Sequence, residues 1–193
     1  MAAGRLILVV GPSGAGKDTL LDAARVALIE DKRFRFPRRV ITRPADAGGE
    51  DHEPATAAAF AARDFALRWQ AHGLSYGIPT GIAADLAAGC CVVANVSRGV
   101  IVAAAARFPV GVIQVIAPPA LLAARLAARG REDVADRAAR LARDVALPAG
   151  VEVVAVVNDS TPAAGAARFL AALLSLAEAD AAPGGTVRPA PPR

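Results

Sequence analysis

The stretch "VVGPSGAGKDTLL", Val9 to Leu21, decides how the rest of the chain is read. It grows out of the apolar run "RLILVV", which a Gly-Pro turn bounds and which reads as a buried strand. Beyond Lys17, the apolar residues Leu20, Leu21, Ala24, Ala27 and Leu28 recur at helical spacing. Between strand and helix, Gly11, Pro12, Ser13, Gly14, Ala15, Gly16 and Lys17 fit the pattern G-x-x-x-x-G-K. Small side chains there let backbone N–H groups close around phosphate oxygens, and the helix N-terminus adds partial positive charge. Lys17 then reaches the β- and γ-phosphates, and Thr19 the α-phosphate. The ligand such a loop takes is a nucleoside triphosphate with Mg²⁺.

Asp18 is the odd member, because such loops carry Ser or Thr after the lysine to ligate Mg²⁺. A carboxylate oxygen is also a hard ligand for that ion. Without a cation it would be repelled by a triphosphate. Asp18 therefore reads either as a metal ligand, with strong Mg²⁺ dependence, or as a cap on the helix N-terminus.

The chain has 193 residues, enough for one well-cored domain, and 54% of them are hydrophobic. Aromatic residues make up only 4%, and lysine occurs only at Lys17 and Lys32, so the basic charge is nearly all arginine. A net charge of +4 with arginines in short clusters suits a small polyanion at least as well as nucleic acid. No run approaches the roughly 18 apolar residues of a membrane span. The cysteines, Cys90 and Cys91, are adjacent and offer no framework of bridges, which points to a reducing cytoplasm.

Further apolar runs at 90–96, 111–117 and 151–157 read as strands. Helical patterns lie at about 80–88, 98–107, 119–128, 133–145 and 162–178. This alternation predicts an α/β fold, a parallel central sheet with helices on both faces. Ligands bind at the carboxyl ends of such strands, here at Gly11, Asn95, Ala117 and Asn158. Residues 44–79 read as a small insertion over the sheet edge, and 180–193 as a disordered tail rich in Pro, Gly and Ala. Residues 1–179 form the expected single domain.

Several segments beyond the loop, spread over about residues 5–175, resemble the guanylate kinase family in the same order. "RRVITRPADAGGEDHE" (38–53) resembles its phosphate-acceptor segment, and "LRWQAHGLSYGI" (67–78) its W-x-x-x-x-G-x-x-Y-G segment. "RLAARGRED" and "RAARLARD", within 125–144, resemble its arginine-bearing lid, here about 129–140. "VVND" (156–159) resembles the segment beside adenine. The departures are these: Asp46 stands where the family pattern has a second arginine, His52 where it has a phosphate-contacting tyrosine, and Arg68 where it has the glutamate that reads guanine. "ANVSRG" (94–99) replaces an acidic strand end. A guanine reader needs acceptors for the ring N–H groups, and an unpaired polar edge costs binding steeply.

With "GKD", "ITR", "RGRE" and a strand end ending in Ser-Arg, the pattern is similar to the ribose 1,5-bisphosphate phosphokinase branch of these P-loop kinases. Val96 stands where that branch more often has glycine. The resemblance implies transfer of the γ-phosphoryl of ATP to ribose 1,5-bisphosphate, giving 5-phosphoribosyl 1-diphosphate, in phosphonate degradation. It implies Arg39, Arg43 and Tyr76 on the acceptor phosphate, and His52, Asn95, Ser97 and Arg98 on the sugar or its second phosphate. Lys17, Arg125, Arg129 and Arg140 would stabilise the transferring group, joined by Arg131. Arg140 also has a structural reading, as a surface pair with Asp136 and Asp144 on one helix. Asn158 and Asp159 either touch adenine or begin the last helix. Trp69 reads as core under the insertion, the cysteines as packing, and His72 as a loop residue.

The expected partner is a small phosphorylated sugar, with no nucleic acid and no membrane, and the chain acting as monomer or homodimer. Two other readings stand beside this one. One is a kinase of GMP or another nucleoside monophosphate, and the other is a kinase-like fold retired into a binding module.

Overall fold

The structure, a computed structural model, describes residues 4–45, 51–127 and 150–178. The expected lid with Arg129, Arg131 and Arg140, the helix expected over 133–145, Asp46, and the tail lie outside the described residues.

A five-stranded parallel sheet forms the centre, in the order β2-β7-β1-β8-β9. Its strands are β1 (Leu6–Val10), β2 (Phe34–Arg35), β7 (Cys91–Asn95), β8 (Val110–Ile116) and β9 (Glu152–Val157). All five residues of β1 are buried, as a strand with neighbours on both edges and cover on both faces requires. Alternation sends its side chains into two cores. Ile7 and Val9 pack with Leu20 and Ala24 of α1 (Lys17–Ala27) and with Phe169 and Leu173 of α6 (Pro162–Glu178). Leu6, Leu8 and Val10 pack on the other face with Ile82 of α3 (Ile82–Ala87) and Ile101 of α4 (Ile101–Ala105). The strand-by-strand expectation holds to within a residue or two, except that β9 is an edge strand. With a neighbour on one side only, it buries Val156 and leaves Val153 and Val157 each 38% exposed.

The segment before and after α2 (Ala57–Ala61) forms a second, four-stranded sheet, ordered β4-β3-β6-β5. It takes in β3 (Arg39–Ile41), which precedes the insertion expected from residue 44, with β4 (His52–Pro54), β5 (Phe65–Ala71) and β6 (Leu74–Pro79). β5 and β6 join through His72 and Gly73, both at positive φ (54° and 70°), the conformation a two-residue hairpin turn demands. Trp69 is half-buried against the second core, and its ring stacks on Tyr76 at 5.4 Å. Cys90 and Cys91 are free and buried. No described helix is long and apolar enough to cross a membrane.

α5 (Pro119–Ala127) follows β8, and α6 closes the described chain against α1. Gly165 in α6 has a specific reason to be glycine. A Cβ there would stand 2.5 Å from Asn158 Oδ1 and 3.3 Å from Leu20 Cδ2. Helix propensity alone would make Gly165→Ala stabilising by about 1 kcal/mol. We expect the reverse, a lower Tm, because the methyl group displaces the buried Asn158 amide; a raised Tm on thermal unfolding would remove this account.

Candidate active site

The phosphate loop leaves β1 at Gly11 and turns through Gly14 and Gly16, at φ of 83° and 90°. Gly11 passes so close to β8 that a Cβ on it would lie 2.2 Å from the Val115 carbonyl oxygen. Inside the turn, Ala15 is fully buried, and its carbonyl accepts from Asn158 Nδ2 at 2.7 Å. A Cβ on Gly16 would fall 2.4 Å from that nitrogen. Asn158 thus occupies the space that two glycines leave, and its own N–H donates to the Ile116 carbonyl at 2.8 Å. Lys17 Nζ donates across the loop to the carbonyls of Gly11 (2.9 Å) and Pro12 (3.0 Å). Arg125 reaches in from α5, with Nη1 3.3–3.5 Å from the carbonyls of Gly14, Ala15 and Asn158.

Asn158 and Asp159 do not begin the last helix. Thr161 caps it, its Oγ1 accepting from Ala164 N at 3.3 Å, while Asp159 pairs with Arg168 of α6 at 2.9 Å. The hydrogen bond from Arg168 holds the Asp159 carboxyl below the usual carboxylate range.

Gly16 is the N-cap of α1 and Asp18 lies in its first turn, where a carboxylate suits the helix dipole; its Oδ1 accepts from Asn95 Nδ2 at 2.8 Å. Only an N–H can face a carboxylate, so this contact fixes which way the amide points. The backbone carbonyl of Asn95 accepts from Arg39 Nη1 at 2.9 Å. The Arg39 guanidinium in turn lies over the Tyr76 ring, 5.7 Å from its centroid. One buried residue at the end of β7 therefore ties the start of α1 to the second sheet.

Arg43 and His52 form a second pair. Arg43 Nη2 lies 3.3 Å from His52 Nδ1, and His52 Nε2 lies 3.2 Å from the Arg43 carbonyl. Because a guanidinium only donates, Nδ1 is the acceptor and Nε2 carries the hydrogen. The Arg43 Nε–H is buried and finds no acceptor among the described residues. Ser97 and Arg98 follow at the mouth of β7, in and beside a short 3₁₀ turn (Arg98–Val100), with Ser97 exposed. Val96, where glycine was the expected residue, buries its side chain in the second core.

Arg68 stands elsewhere. It lies in register with Gly77, between the Leu67–Ile78 and Trp69–Tyr76 pairs, so it faces the opposite side of the sheet from Tyr76 and is exposed. The exchange expected to unmake a guanine pocket thus puts no cation among Arg39, Tyr76 and Asn95. Sequence reasoning also passed over Arg25. Seven residues beyond Asp18, it lies on the same side of α1 and lines one cleft with Arg39 and Asn95.

The residues present fit a Mg²⁺-bound nucleoside triphosphate. The loop is a cradle in which a Cβ at Gly11 or Gly16 would collide, and Lys17 closes it. Asp18 and Thr19 offer hard oxygen donors at the helix start, and Asn95 engages Oδ1 of Asp18 alone. Among the described residues no cluster of three or more His, Cys, Asp and Glu is present, so such an ion would rely on the nucleotide's own phosphate oxygens.

The Asp18–Asn95 contact has a direct test. In a double-mutant cycle on unfolding free energy, Asp18→Ala and Asn95→Ala should be coupled by about 0.5–3 kcal/mol. Additive effects in denaturant titrations would mean that the contact is energetically empty.

The chain matches the AAA domain family over residues 6–147. It is 57% identical over 171 residues to the ribose 1,5-bisphosphate phosphokinase PhnN of Acidiphilium cryptum, covering 89% of this chain and 93% of that protein. The protein of the same name from Methylobacterium radiotolerans is 47% identical over 88% of this chain and 97% of its own length. Among solved structures, guanylate kinase from Anaplasma phagocytophilum superposes with a TM-score of 0.65 at 16% identity, over 91% of this chain and 87% of that one. That last likeness is one of fold. Taken with the phosphate loop and the arginine-bearing sheet beside it, these matches make the chain a member of the ribose 1,5-bisphosphate phosphokinase family, built on the P-loop kinase fold.

Proposed function

We propose that the protein transfers the γ-phosphoryl of ATP to the 1-phosphate of ribose 1,5-bisphosphate, giving 5-phospho-α-D-ribosyl 1-diphosphate and ADP. The observation that carries the reading is the line Asp18–Asn95–Arg39, which runs from the phosphate loop to a sheet face bearing guanidinium groups. An acceptor phosphate oxygen is already ionised at neutral pH, since its second pKa is about 6. It attacks the γ-phosphorus, the bond from that phosphorus to the β–γ bridging oxygen breaks, and ADP leaves with the electron pair. No general base is needed. The work left to the protein is to bring two polyanions together and offset their charge.

In this reading Gly11 to Thr19 hold ATP, with Lys17 on the γ-phosphate. Arg39, Arg43 and Tyr76 take the acceptor phosphate, and the buried Nε–H of Arg43 is a donor suited to an anion. Asn95, His52, Ser97 and Arg98 lie toward the sugar. Arg125 contacts the transferring group from the loop side, with Arg129 and Arg140 completing the charge. Mg²⁺ would be held by Asp18 and the nucleotide's phosphates, and it would neutralise charge on the transferring group. Asn158, which holds Ala15 of the loop, and Asp159 lie toward adenine in this reading. The cytoplasm, where ATP is at hand and thiols stay reduced, is the compartment that suits this chemistry.

ADP release with Mg·ATP should be measured against ribose 1,5-bisphosphate, ribose 5-phosphate, GMP, AMP and UMP. We expect turnover with ribose 1,5-bisphosphate, its diphosphate product visible by phosphorus NMR, and a loss of about 10³-fold or more in kcat for Lys17→Ala. Turnover with GMP in its place would make the protein a nucleoside monophosphate kinase. Mg·ATP binding with no turnover of any acceptor would make it a binding module.

A further inference from the structure

Between α1 and the end of β7 lies a cleft that no expected site residue explains in full. Its walls include Arg25, Phe36, Pro37, Arg39, Asp51 and Asn95. Two guanidinium groups thus line one small space. The carboxylate among those walls, Asp51, is already tied to Arg38 at 2.8 Å. Arg25 is held at the cleft by light contacts. Its guanidinium lies 5.7 Å from the Phe36 ring centroid, and Nη1 is 3.2 Å from Asp22 Oδ1. Both Arg25 and Asp22 are well exposed, at 42% and 67%, and an exposed pair of this kind contributes little to stability. Arg25 can therefore turn to an anion at small cost, whereas a bidentate guanidinium–phosphate contact is among the stronger polar interactions a protein makes.

The helix supplies a ruler. From Asp18, beside the transfer point, to Arg25 is seven residues, two turns, or about 10 Å along the axis. That is the order of span of a pentose carrying a phosphate at each end. Between the two stands Asn95, whose Nδ2 and carbonyl are engaged by Asp18 and Arg39. Its Oδ1 accepts no hydrogen bond from any described residue, and it is available to a sugar hydroxyl.

We propose that Arg25 is the binding residue for the non-reacting phosphate of a sugar bisphosphate whose reacting phosphate Arg39 holds, so that the molecule spans the cleft past Asn95 from one guanidinium to the other. This rests on the functional reading above and deepens it. Recognition of the second phosphate then comes from the phosphate-loop helix itself, so one rigid element measures the acceptor from end to end.

Steady-state kinetics of Arg25→Ala with ribose 1,5-bisphosphate and with ribose 1-phosphate tests the assignment. The KM for the bisphosphate should rise about 10- to 100-fold, the loss of one strong charge-assisted contact. The preference for bisphosphate over ribose 1-phosphate should shrink by the same factor, and Arg25→Lys should recover part of it. Ribose 5-phosphate should raise the Tm of the native protein, and that rise should be lost in Arg25→Ala. If KM and preference stay within about twofold of native while Tm alone falls, Arg25 only packs against Phe36 and the inference is overturned. If the native protein fails to turn over ribose 1,5-bisphosphate at all, the functional reading falls instead, so the two failures are distinguishable.

Discussion

The Nδ2–H of Asn158 donates to the Ala15 carbonyl at 2.7 Å, and the mouth of the central sheet is arranged around that bond. Asn158 is 5% exposed, so its amide has little recourse to water, and removing a buried partner of this kind costs about 1–3 kcal/mol. Gly16 and Gly165 lack side chains at the places where a Cβ would collide with the amide. Arg125 Nη1 reaches the same Ala15 carbonyl at 3.5 Å and the backbone carbonyl of Asn158 at 3.4 Å. The loop, the last strand, the last helix and one arginine from α5 therefore share a single fixed point.

A second chain of contacts crosses the other side of the loop. A carboxylate where a hydroxyl is usual raises the question of what keeps it in place. Asn95 answers it with a neutral donor, which holds Asp18 without neutralising it. The same residue holds Arg39 through its backbone, and Arg39 lies over Tyr76, itself stacked on Trp69. The start of α1 and the second sheet are thus joined by one packed line. For phosphoryl transfer to an already ionised phosphate, such preorganisation matters more than any proton-moving residue.

Much of the frame was legible because its signals are local. Four apolar runs became strands of one parallel sheet, since continuous apolar sequence is what burial on both faces selects. The phosphate loop was legible because glycine spacing and one lysine are a backbone requirement, visible without neighbours. The second sheet was less so. β3 and β4 are three residues each, too short for alternation to register, and their parallel pairing carries no hairpin signal. The face on which Arg68 lies could not be read from its place before Trp69, because the register of β5 against β6 decides it.

The sequence by itself determined the α/β class, the position of the phosphate loop, and the cluster of arginines around it, through residue types whose local physics admits few alternatives. Only the tertiary structure decided which partners the polar residues at the strand ends take. Asn158, expected beside adenine or at a helix start, supports the loop, and Asp18, expected as ligand or cap, is held by Asn95. Arg25, unmarked in the sequence, shares a cleft with Arg39. Side-chain hydrogen bonds between residues 77 and 143 positions apart leave no periodicity and no motif. They exist because parallel strands bring their carboxyl ends to one edge, where each polar group takes the partner that burial leaves it.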